Sequence, residues 1–165
     1  MYKSVETILV DIPTIRPHKL SVTTMQTQTL VLVKVTTENG VVGWGEATTI
    51  GGLNYGEESA ESGKANIETY FAPLLLSIKQ PLNFAQTFKL IRKSINGNRF
   101  AKCAIQTALL DIQAKLLNLP LSEVLGGRLR DRLPVLWTLA SGDTDKDIAE
   151  AKKMIELKRH NICLL

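Results

Sequence analysis

Asn39-Gly40 sits between two apolar, β-branched runs, and no other dipeptide constrains this chain as strongly. Both residue types tolerate positive φ, so the pair reads as the turn of a β-hairpin. Thr29 to Thr37 and Val41 to Ala47 are therefore expected as two antiparallel strands. Val5 to Ile12 supplies a third β-branched run ahead of them. Pro13 and Pro17 have no N–H to give a ladder, so Pro13 to Gln28 is expected as a long loop. A second loop is expected from Thr48 to Gly56, with glycines at positions 51, 52 and 56.

Helical spacing then takes over. Ser59 to Phe71 repeats apolar or small residues at helical intervals, with Pro73 just past its expected end. Phe84, Phe88 and Ile91 to Ile95 mark a second helix, stopped by Asn96-Gly97-Asn98. A third is expected from Arg99 to Leu117, where Ala101, Ala104-Ile105, Ala108-Leu109, Ile112 and Leu116 recur at three and four. Asn118-Leu119-Pro120 ends it. Ser122 to Leu125 is a short turn, and Gly126-Gly127 fits a left-handed C-cap. The pattern changes after Gly127. Pro134 to Ala140 is nearly all apolar, as in a strand covered on both faces, and Trp137 is expected to pack in a core. A helix from about Thr144 to Lys158 follows, capped by Asp143 or Thr144. With a new strand opening at Asn161, these pieces make one βαβ unit of about 30 residues.

Length and composition bound the function. A chain of 165 residues with 44% hydrophobic content can bury a core, but a complete (β/α)8 barrel takes about 250 residues. No apolar run approaches the roughly 18 residues of a membrane span, and the N-terminus lacks a signal-peptide layout. The net charge of +4 comes from interspersed charges. The densest basic stretch, Lys152 to His160, is broken by Glu156, which excludes a nucleic-acid patch. The two cysteines, Cys103 and Cys163, stand apart without a CxxC. That excludes a disulfide framework or zinc site and fits a reducing cytoplasm.

Several strings together resemble one family. Asp11 to Leu20 (with Arg16-Pro17-His18), Gly43-Trp44-Gly45-Glu46-Ala47-Thr48-Thr49-Ile50-Gly51-Gly52 followed by Tyr55, and Ala104 to Asp111 carry the likeness. Leu125-Gly126-Gly127 and Trp137 to Gly142 extend it. These resemble the N-terminal part of the enolase superfamily, most closely its muconate cycloisomerase branch. The resemblance implies an α+β capping domain, a three-stranded antiparallel sheet plus helices, over residues 1–130. Residues 131–165 would begin a (β/α) barrel, left incomplete. It also implies a cytoplasmic, homo-oligomeric enzyme of aromatic catabolism that lactonises cis,cis-muconate with Mn²⁺ or Mg²⁺. In such an enzyme the metal would stabilise the enolate left by ring closure, and a desolvated Lys would supply the proton.

The family's second barrel strand carries Lys-x-Lys, whereas this chain continues from Ile162 into Cys163-Leu164-Leu165. No catalytic residue and no metal ligand is therefore expected within the chain. An early stop or a frame change would account for that, and the chain alone is expected to be inactive. By resemblance, Ile50 and Tyr55 on the glycine-rich loop and His18 on the other lid loop would contact the small dicarboxylate. The rival readings keep the superfamily and change the substrate (chloromuconate cycloisomerase, o-succinylbenzoate synthase, dipeptide epimerase), or make the chain a non-catalytic product. Other candidates have plainer readings. Glu46 is expected to make a structural hydrogen bond at its strand end. Gly43-x-Gly45 lacks the third glycine of a dinucleotide loop, and Ser141 lacks the Gly-x-Ser-x-Gly frame of a nucleophile.

Overall fold

β-Branched runs give strands where their alternate side chains find cover, and here helices provide it. The computed structural model describes residues 1–54, 56–79, 83–139, 141–157 and, for the backbone, 162–164. Its first sheet has the order β1 (Tyr2–Lys19), β2 (Thr24–Thr37), β3 (Val42–Thr48). β2 and β3 pair antiparallel, from Leu30 opposite Thr48 to Thr36 opposite Val42. The hairpin between them follows the sequence, with one refinement. Only Gly40 has positive φ, at 83°. Gly40 N–H donates to Thr37 O (3.0 Å) and Thr37 N–H to Val41 O (2.9 Å). This is the three-residue loop in which a left-handed glycine follows an ordinary turn.

The loop expected from Pro13 to Gln28 is mostly strand. β1 runs through both prolines to Lys19, and only Leu20 to Thr23 turns, closed by Leu20 N–H on Thr23 O at 2.7 Å. The even spacing of Pro13 and Pro17 turns both missing N–H groups to the same side of the strand. Among the described residues β1 pairs only with β2, so that side can be its open edge, where proline is tolerated.

The chain divides into two compact units. The first holds Met1–Ile12 and Gln28–Gly127, and the second Pro13–Thr27 and Arg128–Leu165. In the first unit, Val31, Val33 and Val35 lie on one face of β2 and are almost wholly buried with Ile67, Phe71, Leu75, Ile105 and Leu109. Helix α4 (Arg99–Leu117) matches its expected span, and it buries Ala101, Ala104, Ile105, Ala108, Leu109 and Ile112. Leu116 is exposed, although it falls on the expected stripe, and Lys115 beside it donates to the carbonyl of Val42 at 2.8 Å. Gly43 and Gly45 explain why the helix sits so close. A Cβ on Gly45 would stand 1.9 Å from Ala104 O, and one on Gly43 would stand 2.1 Å from Ala108 O. The Gly-x-Gly of β3 is thus a seat for a helix backbone.

The first helix passes the proline expected to lie beyond it. α1 (Ala60–Asn66) leads through a π-helical stretch, Ile67–Phe71, into α2 (Ala72–Leu76), with Pro73 in the first turn of α2. Proline lacks the N–H of a regular turn and crowds the carbonyl four residues back; the wider π turn immediately before it removes both conflicts. α3 (Phe84–Ser94) and the short α5 (Leu121–Val124) complete the unit. Gly127 N–H bonds Ser122 O at 2.8 Å and Gly126 N–H bonds Glu123 O at 3.2 Å. With both glycines at φ above 100°, this is the Schellman cap that the sequence suggests.

The second unit contains β4 (Leu136–Thr138), α6 (Thr144–Glu156) and β5 (Ile162–Leu164). β4 and β5 pair parallel, Leu136 opposite Ile162 and Thr138 opposite Leu164, as expected of a βαβ unit. Asp143 is the N-cap of α6: its carboxylate accepts from the N–H of Asp145 (3.1 Å) and Lys146 (3.2 Å). Trp137 departs from its expected role. It is half-buried, and its indole N–H donates to Glu150 Oε1 at 3.0 Å.

Candidate functional site

The glycine-rich segment after β3 is held at both ends and bare at its tip. At its start, Gln28 Nε2 donates to the carbonyl of Thr49 at 2.9 Å, and Thr49 is buried. At its end, Glu58 Oε1 accepts from the N–H groups of Arg99 (2.6 Å) and Phe100 (3.3 Å). The carboxylate thereby satisfies two of the open donors at the N-terminus of α4. Ser59 and Ser62 then form a reciprocal capping box on α1. Between these anchors, Gly51 and Gly52 adopt positive φ and a short 3₁₀ turn spans Gly52–Asn54. Ile50 is 48% exposed and Leu53 69%. The segment is thus hydrogen-bonded at both ends and carries two exposed apolar side chains between them. Tyr55 lies outside the described residues.

His18 belongs to the second unit. It is half-buried on β1, just before the turn at Leu20 to Thr23. Exposure alternates along this stretch: Thr14, Arg16 and His18 are partly covered, while Pro13, Ile15 and Pro17 are exposed. Period two therefore puts His18 and Arg16 on one covered face. Arg16 is tied down firmly. Its Nε donates to Glu150 Oε1 and its Nη2 to the carbonyl of Thr138, both at 2.8 Å, and its guanidinium carbon stands 5.9 Å from the Trp137 ring centroid. Ile50 and His18 thus fall in different compact units.

The other polar candidates are structural. Glu46 accepts from the Thr48 hydroxyl at the end of β3, as its expected role requires. Ser141 Oγ donates to Asp143 O and accepts from Asp143 N–H, within the turn that starts α6. A cavity of about 980 Å³ opens beside Tyr2, Glu38, Lys79 and Phe84. It lies at the hairpin end of β3, away from the Ile50 end. Tyr2, at its wall, is pushed up to about 12 by burial. Among the described residues no three His, Cys, Asp or Glu side chains gather where they could hold a metal, so these residues do not fit a divalent ion. Also among them, no helix is long and apolar enough to cross a membrane. Nothing local in the sequence marks Gln28 or Glu58, and Arg16 stands out there only within the family-like string Asp11 to Leu20; each acts on a partner distant in sequence.

A three-stranded antiparallel sheet backed by helices, followed along the chain by a parallel βαβ unit, is the architecture of an enolase-type N-terminal capping domain. The comparisons agree and specify it. Residues 4–126 match the family described as "Mandelate racemase / muconate lactonizing enzyme, N-terminal domain", and the chain belongs to that family. It is 89% identical over 161 residues to "Muconate cycloisomerase 1" of Acinetobacter baylyi, a match covering 98% of this chain and 44% of that protein. To "Chloromuconate cycloisomerase" of Pseudomonas putida it is 45% identical over 159 residues, covering 96% and 42%. Among solved structures, the muconate lactonizing enzyme of Pseudomonas fluorescens complexed with muconolactone superposes with a TM-score of 0.94 at 57% identity. That match covers 98% of this chain and 43% of the other. The chain therefore spans less than half the length of the relatives it matches.

Proposed function

We propose that this chain is the lid-bearing part of a muconate cycloisomerase, the part that closes over cis,cis-muconate while the ring forms. The observation that carries the reading is the 89% identity to the Acinetobacter enzyme, against 45% to the chloromuconate enzyme. The match to a structure holding the lactone product supports the same branch. In this reading Ile50, Tyr55 and His18 are the residues that contact the dicarboxylate, as the family likeness implies. Closing an apolar tip over the diacid excludes water and strengthens every charge interaction beneath it.

Ring closure moves charge from the attacking carboxylate to an enolate on the other, which must then be protonated. The Mn²⁺ or Mg²⁺ ligands and the proton donor of this metal-dependent superfamily are assigned to the length that the relatives have and this chain does not match. Where the family's strand would continue from Ile162 through an aromatic residue into Lys-x-Lys, this chain reads Cys163-Leu164-Leu165, and none of these supplies an ammonium. The chain alone should give no turnover and no tight Mn²⁺ binding. The working enzyme is read as cytoplasmic and homo-oligomeric.

The test is a chimera in which residues 1–162 replace the corresponding part of the Acinetobacter baylyi enzyme. Lactonisation, followed by loss of the diene absorbance, should proceed, and Ile50→Ala should shift the kcat/KM ratio of muconate to its chlorinated analogues about tenfold. A folded chimera without activity would remove the reading. An unchanged ratio would remove Ile50 from the site.

A further inference from the structure

The geometry points to Arg16 as a positioning residue: with Glu150 and Trp137 it forms a latch that fixes the face of β1 carrying His18 against the C-terminal end of β4. Three elements of the second unit meet at this guanidinium. Its Nε bonds the Glu150 carboxylate of α6, and its Nη2 bonds the carbonyl of Thr138, the last residue of β4, both at 2.8 Å. The Glu150 oxygen it uses also accepts the Trp137 indole N–H at 3.0 Å, and the guanidinium lies 5.9 Å from the same indole ring. Arg16 and Glu150 side chains are only 25% and 20% exposed, so bulk water screens the pair weakly.

The consequence follows from strand geometry. His18 is two residues from Arg16 and shares its face, so whatever fixes the Arg16 backbone also fixes where His18 emerges. The C-terminal ends of barrel strands are where such enzymes place their chemistry, and the Thr138 carbonyl marks that end of β4. A planar guanidinium holds a carboxylate and a carbonyl at once in fixed directions, which a lysine ammonium on a flexible stem does not. The latch rests on the lid reading above for its role in catalysis, though not for its existence in the chain.

Two measurements test it. Hydrogen exchange on the whole chain should show the non-proline amides of residues 14–27 opening faster in Arg16→Lys, with the α4 amides unchanged. In the chimera the same substitution should lower kcat/KM by up to about 10²-fold, mainly through KM, while the melting temperature holds. Glu150→Gln keeps an oxygen for both donors and should retain more activity than Glu150→Ala. Unchanged exchange at 14–27, or unchanged KM and kcat in the Arg16→Lys chimera, would overturn the latch. If the unsubstituted chimera is inactive, the cycloisomerase reading falls and the exchange result alone decides the latch. If Arg16→Lys fails to fold, Trp137→Phe keeps an aromatic face but removes the indole donor to Glu150, and takes its place in both measurements.

Discussion

Thr14 shares the covered face of β1 with Arg16 and His18, and its hydroxyl is buried with no hydrogen-bond partner among the described residues. A buried hydroxyl loses its water and gains nothing in return. Thr14→Val should therefore raise stability by about 1 kcal/mol, seen as a higher urea midpoint at constant slope. A lower midpoint would mean that the hydroxyl is satisfied after all. Asp143 makes the opposite contribution. The backbone amide of Lys146, followed by its side chain, holds the Asp143 carboxyl below its ordinary value of 3.8. A carboxyl depressed in the folded state stabilises above its unfolded pKa, and that stability disappears as pH falls through the folded value. Helicity of the second unit should thus decline below about pH 3.8 in the native chain. Asp143→Asn, which keeps a capping oxygen without the charge, should flatten that decline in a circular-dichroism titration.

The seat of α4 on β3 makes a sharp prediction among the elements. Gly45→Ala would drive a methyl into the Ala104 carbonyl, and because helix and strand backbones are both fixed, its cost should reach or pass the ~3 kcal/mol end of overpacking. Gly56→Ala, with nothing within 4 Å of the new methyl, is the matched control and should stay within about 0.5 kcal/mol. Equal midpoints for the two would show that α4 can retreat. These elements also show what a sequence can disclose. α4 was legible because its apolar stripe, the Asn-Gly-Asn stop of the helix before it and its own Asn118 stop are all local. The hairpin at Gly40 was legible for the same reason. The strand through Pro13 and Pro17 was hidden because proline reports only a missing N–H, and edge position, a property of the sheet, decides whether that matters. Pro73 misled in the same way, since no periodicity announces a π turn. The candidates Ile50, Tyr55 and His18 rest on family likeness alone, and no local pattern singles them out. Arg16 showed in the sequence only as part of a family-like string; its contacts stayed hidden because its partners lie on β4 and α6, more than a hundred residues away.

Arg128, Arg130 and Arg132 are exposed in an irregular stretch between α5 and β4, at the boundary where the first compact unit ends. Trypsin should cut there first and leave a resistant N-terminal piece ending between Arg128 and Arg132, the extent proposed for a self-sufficient capping domain. First cuts within α3 or α4 would defeat that proposal. Beyond this stretch, Leu133, Val135, Leu136, Ile148 and Ile155 are each about half exposed or more, so the intact chain should self-associate in light scattering more than the trimmed one. The indoles offer a last consequence. Trp44 belongs to the first unit and Trp137 to the second, so the two halves of the molecule carry one natural fluorophore apiece. Trp44 is 42% exposed, whereas Trp137 has its N–H on a carboxylate and a guanidinium near its ring, surroundings that should give the two dyes different emission. A Trp44→Phe chain would glow only from the barrel-like half and a Trp137→Phe chain only from the sheet. Each half can then be watched melting by its own light.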